Sequence, residues 1–318
     1  MSLSGIVLVT GGAGFIGSHL AARLAAGGAR VRVLDDLSTG YAENLEAIGG
    51  DFDFVRGSVA EPDVVRRALE GVEVIFHEAA IPSVARSVDN PRETHDACVE
   101  GTFALLLAAR DARVRRVVYA ATSSAYGDQP ELPKVETMPP NPLSPYAAAK
   151  LVGEYYCQVF TRAYGLETVS LRYFNIFGPR QDPSSTYSGV ISRFISALSS
   201  GETPVVYGDG EQTRDFTYVS NAVDANLLAA ESAAAVGQTI NVGTGRQTSL
   251  NELLSILKRA AGREDAETEY RDTRVGDVRH SLADITRART LLGYEPRVTL
   301  EEGLQKTLDW WKESRFAK

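Results

Sequence analysis

Apolar residues in this chain fall into short β-branched runs, separated by stretches in which they recur every three or four positions. The runs at 5–9, 30–34, 52–56, 72–77 and 116–120 predict strands. The stretches at 16–26, 62–69 and 100–110 carry the spacing of helices. Alternation of the two predicts an α/β fold with a doubly wound parallel sheet covered on both faces. A proline-rich stretch, 127–145, then leads into a helix over 146–164 and a sixth strand over 166–172. Beyond it the alternation loosens, with punctuation at Gly178-Pro179 and Gly208-Asp209-Gly210. A last helix, about 300–310, opens at Thr299 with Glu302 three residues on, the pattern of a capping box. Segments 216–219 and 239–242 look like strands that return to the main sheet, so a smaller C-terminal lobe should be discontinuous. The expected division is 1–173 plus about 214–245 for the main domain, and about 174–213 plus 246–318 for the lobe.

With 318 residues, a large domain and a smaller lobe are the natural size prior. The net charge of −8 disfavours sequence-independent nucleic-acid binding, so an anionic ligand would need local arginines. Two cysteines, Cys98 and Cys157, are too few for a disulfide framework and suit a reducing compartment. No apolar run approaches a membrane span, and the first strand starts near residue 5, which leaves no room for a signal peptide. The expectation is a cytoplasmic protein without nucleic-acid or membrane partners.

Chemistry enters at Gly11-Gly12-Ala13-Gly14-Phe15-Ile16-Gly17, between the first strand and the first helix. Gly11 supplies a tight turn, Gly14 lets backbone approach a phosphate, and Gly17 lets the helix pack on the strand. A pyrophosphate can then rest on free amides at the positive helix end. With Asp35 ending the second strand, this reads as a Rossmann-type dinucleotide site. Asp35 can accept both ribose hydroxyls and would repel a 2′-phosphate. No Arg occupies the adjoining turn Asp36-Leu37-Ser38-Thr39-Gly40, so NAD is expected rather than NADP.

Tyr146 and Lys150 stand four apart, on one face of a helix. At about 4 Å and an effective dielectric near 20, the ammonium would favour the phenolate by about 4 kcal/mol. That equals roughly three pK units, enough to bring a tyrosine from about 10 toward 7 before solvation reduces it. Thr122, Ser123 and Ser124 follow the fifth strand, so their hydroxyls should lie at the carboxyl edge of the sheet, where ligands bind.

These motifs give the chain a clear resemblance to the extended short-chain dehydrogenase/reductases that modify nucleotide sugars. It is most similar to the UDP-hexose 4-epimerases, especially those acting on UDP-N-acetylglucosamine. Along nearly the full length the match runs through residues 10–17, His77-Glu78-Ala79-Ala80, Tyr146-x3-Lys150 and Leu171-Arg172-Tyr173-Phe174-Asn175. It continues through Gly208-Asp209-Gly210, Arg214-Asp215-Phe216 and Gly276-Asp277-Val278-Arg279. The resemblance implies a cycle in which Tyr146 takes the 4-hydroxyl proton while C4 passes hydride to bound NAD. The keto sugar then turns and is reduced on its other face. Thr122 would join Tyr146 and Lys150 in catalysis.

The resemblance also implies NAD contacts from Gly11, Gly14, Phe15, Ile16, Gly17, Asp35, Ser38, Gly40, Ser58, Val59, Ala79, Ala80, Lys150 and Tyr173. Substrate contacts would come from Ser83, Ser123, Ser124, Asn175, Val190, Arg214, Arg274 and Ser281, with a guanidinium fork suited to phosphate oxygens. Members of the family pair as homodimers through helices such as 100–110 and 146–164. Two positions depart from the pattern. Cys98 stands where Asn usually precedes x-Gly-Thr, and Ser58 replaces an acidic residue that contacts adenine. Related 4,6-dehydratases carry Asp-Glu after the catalytic Thr, and related UDP-glucuronate decarboxylases a Glu two residues after it. Ser123-Ser124 supplies neither, which favours epimerisation over both. A non-catalytic dinucleotide-binding scaffold would be expected to lose Tyr146 or Lys150, and both are present.

Overall fold

The computed structural model describes residues 5–50, 52–182, 189–273 and 278–314. Seven strands form its main sheet: β1 (Ile6–Thr10), β2 (Arg30–Asp35), β3 (Phe52–Arg56), β4 (Val72–His77), β5 (Arg116–Thr122), β6 (Glu167–Tyr173) and β7 (Thr239–Val242). Their order is β3-β2-β1-β4-β5-β6-β7, and every pair is parallel. The order reverses between β1 and β4. That reversal opens a crevice at the strands' carboxyl ends, the place where open α/β sheets bind ligands.

Side chains alternate between the two faces of the sheet. Val7, Val9, Val33, Phe76 and Val118 pack beneath helices Phe15–Ala26 and Val219–Glu231. On the opposite face Leu8, Leu34, Ile75, Val117 and Tyr119 pack with helices Pro62–Ala68, Gly101–Asp111 and Pro145–Tyr164. A third core, around Phe194, Phe216, Leu253, Leu304 and Trp311, joins helices Val190–Ser200, Leu250–Ala261 and Leu300–Glu313. Phe15 and Ile16 pack against this third core, so the first helix touches both lobes.

Segment 239–242 returns to the main sheet as β7, whereas 216–219 does not. Thr217–Tyr218 instead pairs with Ile176–Phe177 in a two-stranded ribbon. Two facts account for the difference. The edge of β6 is already taken by β7. Asn175, at φ 38°, turns the chain out of the sheet, and its carbonyl accepts the Thr217 amide at 3.2 Å. The helix before β5 is also longer than the sequence suggests. It runs on from Pro91–His95 through a π-helical turn at Asp96–Glu100, which carries buried Cys98. Among the described residues no helix is long and apolar enough to cross a membrane.

Candidate active site

The glycine turn links β1 to the first helix under tight steric limits. Gly11 has φ 68°, and a β-carbon there would lie 2.7 Å from the Ala79 nitrogen. A β-carbon on Gly17 would lie 2.2 Å from the Gly11 carbonyl oxygen, so any side chain would force turn and helix apart. Gly14 caps the helix without a side chain, leaving the first-turn amides of Phe15, Ile16 and Gly17 without a side-chain cap. Such an end favours an anion. Asp35, buried at the end of β2, accepts the Ala13 amide at 2.9 Å and the Leu37 amide at 2.8 Å. Each oxygen keeps a further lone pair for a hydroxyl donor. Burial raises the pKa of this carboxyl, and the two amides oppose that shift. A glycine cradle that a β-carbon would fill, beside a carboxylate held open for hydroxyls, fits NAD.

The other expected cofactor residues border this crevice or its rim. Ala79 donates its amide to Thr10 Oγ1 at 3.2 Å, with Ala80 next in sequence. Gly40 is packed so closely on Ala13 that a β-carbon would lie 2.8 Å from the Ala13 carbonyl carbon. Ser38 is exposed, its amide held by Asp36 at 2.8 Å. Ser58 follows β3 and spends its hydroxyl on the Ala60 amide at 3.2 Å, while Val59 is buried.

Tyr146 is placed by the start of its helix. Ser144 caps that helix by accepting the Ala147 amide at 3.1 Å, Pro145 occupies its first turn, and Tyr146 donates its own amide to Ser87 Oγ at 3.1 Å. Thr122, at the end of β5, accepts the Ser124 amide at 3.2 Å, and its hydroxyl is close enough to the Tyr146 phenol to act on its ionisation. This hydroxyl contact favours the phenolate. Ser123 and Ser124 begin the short turn after Thr122, and both are half-buried.

Lys150 has a second aromatic neighbour besides the tyrosine with which it shares a helix face. It is only 2% exposed, and its Nζ lies 4.3 Å from the centroid of the Tyr119 ring. Burial lowers its pKa, and Cys98, Glu78, Cys157 and Glu154 raise it. The Tyr146 phenol is pushed well above the usual tyrosine range by burial. Cys98 and Glu78 add to that shift, and Thr122 opposes it. The depression that a helical spacing of four suggests is therefore not produced by the protein alone. The stem of Lys150 takes the ammonium to the Tyr119 ring instead.

Two groups gain importance to which the sequence gave a place in the match but no role. Glu78, just after β4, accepts the Tyr173 hydroxyl at 2.7 Å, and Tyr173 in turn accepts from Asn226 Nδ2 at 2.7 Å. Burial lifts the Glu78 carboxyl to about 7 despite the favourable Tyr173 hydrogen bond and Lys150 charge. His77 is wholly buried between Thr10 Oγ1, 2.7 Å from Nδ1, and Thr102 Oγ1, 3.0 Å from Nε2. Burial, with Lys150 adding, lowers its pKa to about 3, so it stays neutral and ties β1 and β4 to the helix before β5. The available signal was a polar residue closing each apolar strand, Thr10 on β1 and His77 on β4.

On the second-lobe side, three expected substrate residues come together. Asn175 Nδ2 donates to the Asp215 carbonyl at 3.3 Å. Arg214 Nη1 donates to the carbonyls of Thr213 at 2.9 Å and Arg279 at 3.3 Å. Ser281 donates its amide to the Thr213 carbonyl at 3.1 Å, which sets it beside Arg214. The Asp215 carboxylate binds this region together, accepting Thr244 Oγ1 at 2.6 Å and the amides of Thr244, Gly245 and Ala283. Val190 starts the helix Val190–Ser200, and Ser83 caps Val84–Asp89 by accepting the Arg86 amide at 3.1 Å. Arg274 and the pair Gly276-Asp277 lie outside the described residues.

Comparison with known proteins gives this geometry a context. Residues 7–243 match the NAD-dependent epimerase/dehydratase family. A UDP-glucose 4-epimerase of Mycolicibacterium smegmatis is 45% identical over 96% of this chain and 98% of its own length. The UDP-N-acetylglucosamine 4-epimerase of Methanobrevibacter ruminantium, solved with UDP-N-acetylmuramic acid, has a TM-score of 0.93 and 38% identity over 97% of this chain and 98% of that one. The Thermus thermophilus UDP-glucose 4-epimerase, solved with NAD, has a TM-score of 0.88 and 37% identity over 97% of this chain and 99% of that one. The chain therefore belongs to the NAD-dependent epimerase/dehydratase family, within the extended short-chain dehydrogenase/reductases.

Proposed function

We propose that this protein is a UDP-hexose 4-epimerase that keeps its NAD through the cycle and acts on UDP-GlcNAc and UDP-GalNAc, with room for UDP-Glc and UDP-Gal. The observation that carries the reading is the Tyr146 phenol against Thr122 at the carboxyl edge of the sheet, with serines alone in the next two positions. When bound, NAD supplies a reversible acceptor of hydrogen at C4, and Gly11, Gly14, Gly17 and Asp35 would hold it. Tyr146 takes the proton of the 4-hydroxyl and later returns it. Thr122 supports the phenolate by hydrogen bonding to its oxygen. Lys150 would turn from the Tyr119 ring toward the cofactor ribose. Ser123 and Ser124 can hold sugar hydroxyls, but they offer no carboxyl acid or base for water loss. Asn175 and Arg214, with Arg274, would receive the diphosphate.

The small side chain of Ser281, whose amide is held beside Arg214, supports acceptance of a 2-acetamido group. Pairing as a homodimer is supported by exposed Phe103, Tyr155, Val159 and Tyr164 on the two helices that flank the catalytic residues. The division into a cofactor domain and a substrate lobe is supported by the separate core around Phe194 and Trp311. The test is separate incubation with UDP-glucose and UDP-GlcNAc, with products resolved by NMR and the nucleotide released on denaturation identified. Interconversion at C4 and release of NAD(H) are expected. A 4-keto-6-deoxy product or mainly NADP(H) would overturn the reading.

A further inference from the structure

Past Ile176–Phe177 the chain reaches from the second lobe onto the cofactor turn. Three hydrogen bonds hold this crossing. His19 Nε2 donates to the Pro179 carbonyl at 2.9 Å, Arg180 Nη1 donates to Ser18 Oγ at 3.2 Å, and the Tyr41 hydroxyl donates to Asp182 Oδ2 at 2.5 Å. All three partners adjoin the cofactor turn. Ser18 and His19 lie in the opening turns of the glycine helix, and the Tyr41 amide donates to the Ala13 carbonyl at 3.0 Å. Arg180 adopts φ 67°, a left-handed conformation uncommon for any residue but glycine. An unfavourable backbone kept under three anchors marks a segment held for more than connection.

The charge at Arg180 is the unusual feature. Burial lowers its pKa, and the only described ionisable group that favours its charge is the Tyr218 hydroxyl. The nearby Asp182 carboxylate takes the Tyr41 hydroxyl. Of the five guanidinium N–H donors, one is engaged by Ser18, whose own hydroxyl donates to the Phe15 carbonyl at 3.0 Å. A half-buried cation thus stands within a turn of a helix N-terminus that already carries partial positive charge, an arrangement that repels itself without an anion. His19, one residue further along the helix, is held neutral by burial and by Arg180, with a pKa of about 4.

We infer that Arg180 is a ligand of the dinucleotide pyrophosphate, clasping it on the glycine turn from the second-lobe side. The inference rests on the assignment of that turn to NAD. A guanidinium suits this task because its planar fork matches phosphate oxygens. Arg180 also enters from the substrate lobe, so the clasp ties retention of the cofactor to the seating of that lobe on the first helix.

The test uses Arg180→Gly, which removes the guanidinium while making the backbone conformation easy. Three quantities are measured on purified protein: the rate of NAD loss from the holoenzyme on rapid ultrafiltration, Tm of NAD-stripped protein with and without added NAD, and UDP affinity by calorimetry. Loss of a charged hydrogen bond predicts NAD release faster by roughly tenfold to a hundredfold. Tm without added NAD should be equal to or above wild type, and the NAD-dependent rise in Tm should shrink. UDP affinity should stay within twofold, and Arg180→Lys should recover part of the retention. NAD release within twofold of wild type would overturn the inference. So would a fall in Tm with an unchanged NAD increment, the mark of a merely structural role. A loss confined to UDP would assign Arg180 to the substrate diphosphate instead and overturn it. Wild type that binds no NAD would remove the cofactor assignment and this inference together, whereas normal NAD binding with an unaffected variant would remove this inference alone.

Discussion

Glu78 should make the protein's stability depend on pH near neutrality, and Glu78→Gln isolates the effect. Burial lifts this carboxyl from 4.5 to about 7 in the folded state, against the Tyr173 hydrogen bond and the Lys150 charge. The folded protein therefore binds the Glu78 proton more tightly than the unfolded chain does. The associated stability is fully present below about pH 4.5 and is lost as pH rises through about 7. At 1.36 kcal/mol per pK unit, the loss is about 3 kcal/mol. Glutamine keeps the shape of the protonated acid and cannot ionise, so the variant should not suffer this loss. Relative to wild type, Glu78→Gln should gain about 3 kcal/mol between pH 4.5 and pH 8.5, a rise in Tm on the order of 5 °C. Differential scanning calorimetry of both proteins at matched NAD, from pH 4.5 to 9, measures it. A Tm difference that stays flat across that range would refute the argument. The same charge faces the catalytic pair: when ionised, Glu78 raises the Tyr146 pKa and supports the Lys150 ammonium. Any limb near pH 7 in the kcat/KM profile should accordingly vanish in the variant.

Tyr146→Phe removes the proposed base, and turnover should fall about 10²- to 10⁴-fold while NAD stays bound; turnover within tenfold of wild type would reject that role. Ser281→Tyr should depress kcat/KM for UDP-GlcNAc roughly ten- to a hundredfold more than for UDP-glucose, because overfilling a packed site costs about 1–3 kcal/mol. Equal losses on the two sugars, measured by coupled assay, would show that Ser281 does not sense the 2-substituent.

The parts of this protein that were legible in its sequence are those in which local chemistry has one outcome. A parallel sheet covered on both faces needs a nearly continuous apolar run, and β1 is such a run, buried at every position. The glycine turn was legible because no side chain fits at Gly17. The cap at Thr299 forms as the spacing suggests, with the Glu302 amide donating to its hydroxyl at 3.2 Å. The Glu302 carboxylate, however, reaches Lys306 at 2.7 Å. Where several partners compete, spacing alone does not decide. Segment 216–219 has the pattern of a strand, but that pattern carries no information about which sheet will receive it. Tertiary packing settles that choice, since β7 fills the edge and Asn175 turns the chain away.

Lys150 shows the same limit at the level of chemistry. A spacing of four fixes the helix face it shares with Tyr146, but the long flexible stem leaves the ammonium several possible neighbours. Its final position depends on groups drawn from distant stretches: the Tyr119 ring on β5, Glu78 after β4, and Cys98 on the π-helical turn. The same assembly keeps Tyr146 protonated in the protein alone, because burial outweighs the help from Thr122. Ionising the phenol therefore requires a positive charge to enter the crevice or Lys150 to leave the Tyr119 ring. On the proposed reading, binding of oxidised NAD would meet both requirements at once, by bringing a cation and by offering ribose hydroxyls to the ammonium. The base would then become competent only when the cofactor is in place.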